Sequence, residues 1–504
     1  MELKLSYKKI IDMLTQNKLL VEHNLKNPDG EINYISYNST DVKPDTLFFC
    51  KGGLTQSFKE EYLIQAVESG AVCYISEKKY AADNNIDYFI VNNIRLTISI
   101  LAPLFYNYSY EKFCLTGITG TKGKTTVAYF LKNIFDEYTG SQTGLSCSIR
   151  ICTGKRNETA NLSTPEPCDL QKYFYEAAES DIDYFTMEVS SQAYKIDRVY
   201  GVHFDNGIFL NIAEDHISPT EHEDFDDYLN CKLKFIKNCS NLVVNAETDY
   251  LNDVLLAAEN ADSITLYGIE ENKQKCDYYS FDIRPVGNLI YFYAKSDKYN
   301  YFEQFAIKMQ GRFNVENALA AITMARTMGI DDESIRRGLL NTEVPGRMDT
   351  LENNGITVIV DYAHNHLSFT ALYESLKKIY NGRRIISVGG IPGGRHLMRR
   401  RDFADIVGGN SDYVYLTADD PYFEDVTEIC EDIASTMTDT PYEIIVDRKE
   451  AVTKAISTAK SGDVVVLIGK GAESSQKIGG NIVPYESDLT IAQNILFANV
   501  PAVL

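Results

Sequence analysis

The residues that most constrain this chain form a glycine-rich turn at 115–126, with the sequence LTGITGTKGKTT. The apolar run Phe113–Leu115 predicts a buried strand before the turn, and the segment from Val127 predicts a helix after it. Such a turn points several backbone N–H groups at one place, at the positive end of the helix. There Lys124 can reach the outer phosphates of a nucleotide, and the hydroxyl of Thr125 can ligate Mg²⁺. The turn therefore predicts a nucleoside triphosphate site.

The turn is a variant of the P-loop, because the strict pattern has Gly at position 118, where this chain has Ile118. Glycines also serve tight turns that bind no ligand. The strand, the Gly-Lys-Thr-Thr sequence and the helix occur together here, which favours the nucleotide site over a plain turn.

Composition limits the other classes of function. A length of 504 residues predicts about three domains, and a net charge of −22 argues against a surface built for nucleic acid or an anionic membrane. A phosphate-bearing substrate must then be met by a local basic pocket. The ten cysteines include no C-x-x-C pair, and the sequence shows neither a signal peptide nor an apolar run that could span a membrane. We therefore expect a reduced, cytoplasmic protein.

Strand and helix patterns alternate along the chain and predict an α/β protein with three domains. Residues 1–110 predict a small α/β domain, residues 111–345 a larger parallel-sheet domain that contains the P-loop, and residues 346–504 a doubly wound domain. The predicted strands include Thr46–Cys50, Val72–Ile75, Tyr184–Val189, Gly207–Ile212, Thr357–Asp361, Arg384–Val388, Tyr413–Leu416 and Val464–Gly469, and the predicted helices include Glu60–Gly70 and Asn314–Met328.

Polar residues follow several of the predicted strands. Glu188 and His216 fall near the carboxyl ends of two strands, where ligands of open α/β sheets collect, and together they suit a Mg²⁺ ion beside phosphates. A histidine of this kind standing alone is more often structural. The basic run Arg395–Arg401 follows a glycine-rich loop after a strand, which favours an anion or carboxylate site over a solvated face. The turn Gly469–Gly471 also follows a strand.

These motifs, in this order, resemble those of the Mur ligases, the ATP-dependent amino-acid ligases of peptidoglycan synthesis. The resemblance runs along nearly the whole chain, and it is closest to the members that add the third residue to UDP-N-acetylmuramoyl-L-alanyl-D-glutamate. The motifs that carry it are Thr119–Thr126, Ser163–Pro165, Met187–Ser191, Asn211-Ile212 with Asp215-His216, Gly311–Asn314 with Asn317, Gly346–Met348, Asp361–His364 and Gly469–Gly471.

The resemblance implies an architecture and a reaction. The three domains would bind the UDP substrate, ATP and the incoming amino acid, and the third domain would be Rossmann-like. ATP would phosphorylate the D-glutamyl carboxylate, and the amine would attack the acyl phosphate through a tetrahedral intermediate. This order is chemically reasonable, because a free carboxylate is a poor electrophile until one of its oxygens becomes a phosphate leaving group.

The resemblance also implies roles for particular residues. Lys124, Glu188, His216 and Lys232 would be catalytic, and Lys232 would be carbamylated with CO₂ so that it serves Mg²⁺ together with Thr125, Glu188 and His216. Without the resemblance, Lys232 would be taken for a surface lysine on a helix. ATP would be bound by Thr119, Gly120, Thr121, Lys122, Gly123, Lys124, Thr125, Thr126, Asn314, Asn317, Arg347, Asp361 and His364. The UDP-muramoyl-dipeptide would be bound by Ser39, Ser163, Thr164, Ser190 and Arg198.

The motif after a strand of the third domain bears on which amino acid is added. Members that add meso-diaminopimelate carry Asp-Asn-Pro-Arg, whereas this chain has Asp419-Asp420-Pro421-Tyr422. Loss of the guanidinium removes a bidentate carboxylate partner, and Asp420 adds a negative charge that suits a distal ammonium. The motif therefore resembles that of the lysine-adding members. The amino acid would be held by Arg395, Asp419, Asp420, Pro421, Tyr422, Gly469 and Glu473.

Other functions stay open on the sequence. Ornithine is shorter than lysine by one methylene, which is worth only about 1–3 kcal/mol in a pocket. Members usually have Asp-Ser-Arg where this chain has Asn38-Ser39-Thr40, so a different acceptor is possible. A P-loop switch protein without ligase chemistry is a further alternative, although it would not need the third domain. We expect a monomer with no nucleic-acid or membrane partner.

Overall fold

The computed structural model describes residues 3–54, 56–80, 86–215, 217–218, 221–287, 289–394 and 397–497. The chain forms two compact units. The first comprises Met1–Tyr267, Gln274–Asp277 and Ile322–Ile335, and the second comprises Gly268–Lys273, Tyr278–Ala321 and Arg336–Leu504. Helices and largely parallel sheets occur in both units, which confirms the predicted α/β class. The predicted domain boundaries at residues 110 and 345 stay predictions.

The N-terminal part of the first unit is a small sheet flanked by helices. Its elements are β1 Leu5–Ser6, α1 Tyr7–Gln16, β2 Leu20–Asn24, β3 Glu31–Ile32, β4 Tyr34–Ser36, β5 Thr46–Phe49, α2 Glu60–Glu68, β6 Ala71–Ser76, β7 Asp87–Val91 and α3 Ile94–Phe105. The strand order is β2-β7-β6-β5-β4, with β2 antiparallel to β7 and the other neighbours parallel. Apolar side chains of α1, α3 and the strands, among them Ile10, Phe89 and Leu101, form its core.

The rest of the first unit is built on a larger sheet. Its elements are β8 Cys114–Thr119, α4 Lys124–Thr139, β9 Gly144–Ser146, β10 Arg150–Cys152, β11 Asn157–Thr159, α5 Pro167–Ala178, β12 Tyr184–Glu188, α6 Ser191–Lys195, β13 Phe204–Phe209, α7 Phe225–Lys237, β14 Cys239–Asn245, α8 Leu251–Ala257 and β15 Ser263–Ile269. The order is β11-β10-β9-β12-β8-β13-β14-β15, and the strands from β9 to β15 in that order are parallel. Parallel β8, β12 and β13 therefore end at one edge of the sheet.

Helix α7 packs closely on strand β8 because position 117 is a glycine. A Cβ atom at Gly117 would lie 2.5 Å from the ring of Phe235 on α7 and 2.7 Å from the ring of Phe204. Any side chain there would push the helix away from the strand that leads into the P-loop. This contact brings α7, which carries Lys232, to the end of the sheet where the P-loop begins.

From residue 278 onward the structure contains three antiparallel strands, a six-stranded sheet and a hairpin. The elements are β16 Tyr278–Val286, β17 Leu289–Ser296, β18 Tyr301–Ile307, α9 Arg312–Thr327, α10 Asp332–Asn341, β19 Asp349–Asn353, β20 Ile356–Asp361, α11 His366–Ile379, β21 Ile385–Gly389, α12 Leu397–Asp402, β22 Tyr413–Leu416, α13 Val426–Thr436, β23 Tyr442–Ile444, α14 Arg448–Thr458, β24 Val464–Ile468, β25 Ser475–Ile478, β26 Asn481–Pro484 and α15 Asp488–Leu496. Strands β16, β17 and β18 are antiparallel neighbours, and β25 and β26 form the hairpin.

The C-terminal sheet has the order β19-β20-β24-β21-β22-β23, and only β19 is antiparallel to its neighbour. Alternate residues of β24 enter two separate cores: Val464 and Val466 pack with α11 and α13, whereas Val465 and Leu467 pack with α14 and α15. The sheet is thus covered by helices on both faces, which confirms the doubly wound prediction.

One predicted strand is displaced. The sequence predicts a strand at Gly207–Ile212, but β13 spans Phe204–Phe209. After Phe209 the backbone N–H of Leu210 donates to the carbonyl of Thr119, and the carbonyl of Asn211 accepts from the N–H of Thr121. The residues beyond Phe209 therefore hold the P-loop instead of extending the sheet.

The cysteines are free thiols, and all except Cys114 and Cys276 are buried. They pack as small apolar side chains, as the sequence predicts. Among the described residues, the helices lack the length and apolar character that a bilayer-crossing segment would need.

Candidate active site

The P-loop lies between β8 and α4 in the first unit. Gly120 and Gly123 have φ angles of 156° and 89°, in the left-handed region that favours glycine, and Gly123 is the N-cap of α4. Gly123 has no side chain that could cap this helix end, and the backbone N–H groups of the first turn lie at the positive end of the helix. The ammonium of Lys124 donates to the carbonyls of Gly120 and Thr121, at 2.8 and 3.3 Å. The geometry is that of a phosphate-binding loop.

The wall of the loop is fixed by residues from neighbouring strands. The N–H of Lys122 donates to the side-chain carbonyl of Asn211 at 2.8 Å, and Lys122 Nζ lies 3.4 Å from Asp215 Oδ2. Thr121 Oγ1 shares a hydrogen bond of 2.9 Å with the hydroxyl of Tyr228 on α7. Thr119 and Thr126 are buried at the two ends of the loop.

Two of the proposed magnesium ligands are in direct contact. The hydroxyl of Thr125 donates to Glu188 Oε1 at 2.7 Å, and Glu188 is the last residue of β12. Glu188 also accepts from the N–H of Ser148 at 2.9 Å and from its hydroxyl at 3.0 Å. A hydroxyl and a carboxylate are hard oxygen ligands of the kind that Mg²⁺ prefers. His216 lies outside the described residues.

Lys232 is buried, with 2% of its surface exposed, which differs from the surface position that the sequence alone favours. Its ammonium donates to the carbonyl of Gly120 at 2.9 Å and lies 4.9 Å from the ring centre of Tyr228. Burial, and then the nearby charge of Lys124, lower the pKa of Lys232 well below its usual value. The side chain therefore points at the P-loop as an amine that is easily deprotonated.

The residues assigned to the muramoyl-dipeptide meet beside Glu188. Thr164 Oγ1 donates to the carbonyl of Glu188 and accepts from the N–H of Ser190, both at 3.0 Å. Ser163 Oγ accepts from Ser148 Oγ at 2.8 Å, and Nη1 of Arg198 donates to the carbonyl of Thr164 at 3.1 Å. The structure thus brings four of the five predicted residues together.

A charged cluster borders this group. Arg198 and Lys51 both bind the carboxylate of Glu166, at 2.9 and 2.7 Å. Burial raises the pKa of Glu166, but the cations of Lys51 and Arg198 outweigh it and hold the pKa below its usual value. The fifth predicted residue, Ser39, donates its hydroxyl to the side chain of Gln65 at 2.8 Å in the N-terminal part of the unit.

In the second unit, Asn314 and Asn317 lie near the start of α9. The amide of Asn317 donates to the side-chain oxygen of Asn314 at 3.2 Å, and the amide of Asn314 donates to the carbonyl of Gln310 at 2.8 Å. Both side chains are buried. Their amides are fixed in orientation by each other and by the backbone before the helix.

Arg347, Asp361 and His364 surround Tyr362. The guanidinium of Arg347 lies 4.4 Å from the centre of the Tyr362 ring, and the imidazole of His364 lies 5.1 Å from it. Asp361, at the end of β20, accepts from the N–H groups of Met348 and Ala363 at 2.9 and 2.8 Å. A cation held over an aromatic face is a suitable neighbour for an anionic ligand.

The Asp419–Tyr422 motif follows β22, next to the loop that follows β24. A Cβ atom at Gly469 would lie 2.4 Å from Asp419 Oδ2, so only glycine allows the two loops to approach. Burial raises the pKa of Asp419 to about 6, and among the described residues no hydrogen bond reaches its carboxylate. Pro421 approaches the loop after β21, where the N–H of Gly393 donates to the carbonyl of Asp420 at 2.9 Å. Tyr422 adopts a left-handed φ of 54°.

Lys470 connects the other two acidic residues of this group. Its buried ammonium lies 2.8 Å from Asp420 Oδ1 and 2.6 Å from Glu473 Oε2. Asp420 also accepts from the N–H of Lys477 at 3.1 Å, and Lys477 Nζ lies 3.8 Å from its second oxygen. The charge of Asp420 is thus already balanced within the protein, whereas no hydrogen bond from the described residues reaches the carboxylate of Asp419.

Arg395 lies outside the described residues. Within the same basic run, Arg400 is buried and its guanidinium binds Glu424 and Asp432. The contribution of Arg400 to the run is therefore structural. The predicted carboxylate site at Arg395 stays a prediction.

The structure adds functional candidates that the sequence analysis does not assign, namely Ser148, Asn211, Tyr228 and Lys470. Asn211 stands within a motif that the sequence analysis quotes, and Lys470 stands between the two glycines of another. Ser148 contacts Glu188, which is 40 positions away in the chain, and Tyr228 contacts Thr121, which is 107 positions away. Contacts between such distant residues leave no local sequence pattern.

The fold and the P-loop define the class: an α/β protein with a P-loop nucleotide site. Residues 118–325 match the Mur ligase middle domain, and residues 346–471 match the Mur ligase glutamate ligase domain. A protein of Lactobacillus delbrueckii subsp. bulgaricus named UDP-N-acetylmuramyl-tripeptide synthetase is 38% identical to this chain. The match covers 92% of this chain and 93% of that protein. An Enterococcus faecalis protein named UDP-N-acetylmuramoyl-L-alanyl-D-glutamate--L-lysine ligase is 39% identical over 92% and 91%.

Among solved structures, the MurF ligase of Thermotoga maritima in complex with ADP has a TM-score of 0.61 at 18% identity, covering 92% of this chain and 96% of that chain. This likeness supports the fold. The sequence matches show more: the chain belongs to the Mur ligase family. The resemblance found in the sequence is therefore confirmed.

Proposed function

We propose that the chain is an ATP-dependent ligase that adds L-lysine to UDP-N-acetylmuramoyl-L-alanyl-D-glutamate in the cytoplasm. One observation supports the ligase activity. The Thr125–Glu188 pair and the buried amine of Lys232 lie at the same phosphate-binding loop. The relative named as an L-lysine ligase, 39% identical over 92% of this chain, supports the choice of substrates.

In this proposal Mg²⁺ is held by Thr125, Glu188, His216 and a carbamate on Lys232. The donor set fits, because Thr125 and Glu188 offer oxygens that already meet at 2.7 Å. When bound, the ion neutralises charge on the phosphates of ATP. Lys124 and the backbone N–H groups at the start of α4 bind the phosphates.

The carbamate on Lys232 is supported by the state of its amine. A lysine reacts with CO₂ only as the neutral amine, and burial with the nearby Lys124 lowers the pKa of Lys232. Addition of CO₂ with loss of a proton converts the side chain into an anion. The anion lies near the positive charge of Lys124, which favours it, and it supplies an oxygen ligand beside the carbonyl of Gly120.

The chemistry then needs the acceptor carboxylate beside the terminal phosphate. We assign Ser163, Thr164, Ser190 and Arg198 to the muramoyl-dipeptide, since they lie next to Glu188 at the end of the sheet that carries the P-loop. A carboxylate oxygen attacks the γ-phosphorus and ADP leaves. The neutral amine then attacks the acyl carbon, phosphate leaves, and the nitrogen loses a proton to solvent as the amide forms. Ser39 is assigned to the uridine part, and Asn314, Asn317, Arg347, Asp361 and His364 to ATP.

We assign the incoming amino acid to the loops at Asp419 and Gly469. Arg395 meets its α-carboxylate, while Asp419 and Glu473 meet its amino groups. The burial of Asp419 supports this role: among the described residues no hydrogen bond reaches its carboxylate, and a substrate ammonium would supply one. Asp420, Pro421 and Tyr422 shape the pocket, with Asp420 held by Lys470.

The test measures ADP release by the purified full chain in ATP and Mg²⁺, with each substrate omitted in turn. The proposal predicts ADP release only when the UDP-muramoyl-dipeptide and L-lysine are both present. Hydrolysis of ATP that ignores both substrates would instead support a P-loop switch, and turnover with another acceptor would overturn the choice of dipeptide.

A further inference from the structure

A His–Asp–Cys cluster lies in the first unit, apart from the residues assigned above to ATP, Mg²⁺ and the dipeptide. It consists of His222, Asp227 and Cys231. His222 and Cys231 are buried, at 1% and 2% exposure, and Asp227 is half-buried. One ligand atom of each residue lies within 4.8 Å of the others. Asp227 and Cys231 stand four residues apart on α7 and therefore share one face of that helix.

The spacing of the three side chains is close to that of a tetrahedral metal site. His222 Nδ1 lies 2.9 Å from Asp227 Oδ2, and Cys231 Sγ lies 3.8 Å from Asp227 Oδ1. Ligands that bind an ion at about 2.0–2.3 Å in a tetrahedron lie about 3.3–3.8 Å from each other. The ligand atoms all lie within 4.8 Å of one another, so side-chain shifts of up to about 1 Å would bring them to the spacing of a bound ion.

The contact of the second nitrogen of His222 is also typical of a metal-binding histidine. His222 Nε2 lies 2.9 Å from the hydroxyl oxygen of Ser191, the first residue of α6. A histidine that binds a metal through one nitrogen commonly donates the N–H of the other to a fixed oxygen. Ser191 therefore holds the ring so that Nδ1 faces Asp227.

We propose that His222, Asp227 and Cys231 form a binding site for a borderline-soft divalent cation such as Zn²⁺ or Co²⁺, separate from the Mg²⁺ site. Imidazole, thiolate and carboxylate together are zinc ligands, whereas Mg²⁺ prefers sites made of oxygen alone. The three ligands leave one tetrahedral position for water, so the ion is exchangeable.

Occupation of the site requires two local changes. The thiol of Cys231 loses its proton to water as the sulfur–metal bond forms. Lys195 Nζ, now 2.7 Å from Asp227 Oδ2 and 3.6 Å from Glu223, must turn away from the carboxylate. Its side chain is 28% exposed, so it can reach solvent without disturbing the core. Once bound, the ion joins α7 to the segment that carries His222.

The test titrates the full chain with CoCl₂ in buffer that contains excess Mg²⁺ and follows the absorption spectrum. We expect a thiolate-to-cobalt charge-transfer band in the near ultraviolet and the visible bands of tetrahedral cobalt. Cys231→Ser should abolish the charge-transfer band and weaken binding by more than about ten-fold, since even a supporting partner of a ligand is worth that much. Cys276→Ser changes a half-buried thiol outside the cluster and should leave both readouts unchanged.

Two results would overturn the proposal: no charge-transfer band in the unmodified chain, or a band that Cys231→Ser retains. If Cys231→Ser fails to fold, X-ray absorption of the zinc-loaded unmodified chain decides the matter. The proposal predicts one sulfur neighbour at about 2.3 Å from zinc. A shell of oxygen and nitrogen alone would rule out Cys231 as a ligand.

Discussion

Replacing Asp488 by alanine should destabilise the C-terminal sheet by about 3–5 kcal/mol, the usual cost of removing one partner of a buried ion pair. Asp488 accepts from Nε and Nη2 of Arg448 at 2.9 and 2.6 Å, and both side chains are fully buried. Arg448 also donates to the carbonyls of Ala418 and Ile468 at 3.0 and 2.7 Å. Loss of the carboxylate would leave the guanidinium buried with two carbonyls but without its counter-ion.

The assay is urea unfolding followed by circular dichroism, with the midpoint and slope compared between variants. Glu486→Ala is the matched control, because Glu486 pairs with Lys449, next to Arg448, but these two side chains are 33% and 60% exposed. An exposed pair contributes about 0–1 kcal/mol. Both variants remove an acidic partner of a basic residue of α14, from positions two residues apart at the start of α15. They differ in that Asp488 is buried and Glu486 is partly exposed.

A loss for Asp488→Ala as small as that of Glu486→Ala would refute the argument that the buried guanidinium needs its partner. The double variant Arg448→Met with Asp488→Leu offers a second check, because it removes both charges. It should be more stable than Asp488→Ala alone, since an apolar pair of similar volume is often neutral or stabilising. The opposite order would also refute the reasoning.

Three further predictions concern activity and a fourth concerns stability. Lys232→Ala should cripple turnover without lowering the melting temperature by more than a few degrees, and small carboxylic acids should partly restore the rate; unchanged turnover would remove Lys232 from the metal site. Asp420→Asn with Tyr422→Arg should shift the ratio of kcat/KM values from lysine toward meso-diaminopimelate, and an unchanged ratio would count against the motif. Burial raises the pKa of Asp419 to about 6, so the KM for lysine should rise as the pH falls through that value. Because this folded-state pKa lies above the unfolded value of about 3.9, ionisation of Asp419 opposes folding, and its contribution to stability falls as the pH rises from about 4 to 6. Asp419→Asn should therefore gain stability relative to the unmodified chain above about pH 6, and melting curves whose difference does not change with pH would contradict this.

The P-loop could be predicted from the sequence because its information is local. Strand β8, the glycines and the start of α4 are consecutive, and Gly120 and Gly123 are required by their own backbone angles. The doubly wound sheet was predictable for the same reason, since runs such as Val464–Ile468 are apolar on both faces.

The environment of Lys232 could not be predicted in this way. Its burial depends on α7 lying against β8, and that contact depends on Gly117 and Phe235, which are far apart in the chain. Helix α7 also carries Asp226, Asp227, Lys234 and Lys237, and a lysine in such a sequence is more often exposed than buried. Only the fold shows that the amine points at the carbonyl of Gly120.

The contacts of the loops at Asp419 and Gly469 could not be predicted from the sequence either. The sequence shows two adjacent carboxylates, Asp419 and Asp420, but not which of them is neutralised inside the protein. The partner of Asp420 is Lys470, fifty positions away and brought near because β24 and β22 both flank β21. The difference between the two carboxylates follows from this topology.

The central claim is tested most directly by ADP release with ATP, Mg²⁺ and UDP-N-acetylmuramoyl-L-alanyl-D-glutamate, with L-lysine, ornithine or meso-diaminopimelate supplied in parallel. We expect the highest kcat/KM with L-lysine and a product heavier than the dipeptide substrate by one lysyl residue. A preference for ornithine or meso-diaminopimelate would contradict the reading of Asp419–Tyr422 while keeping the ligase. No release with any of the three would contradict the proposed reaction itself.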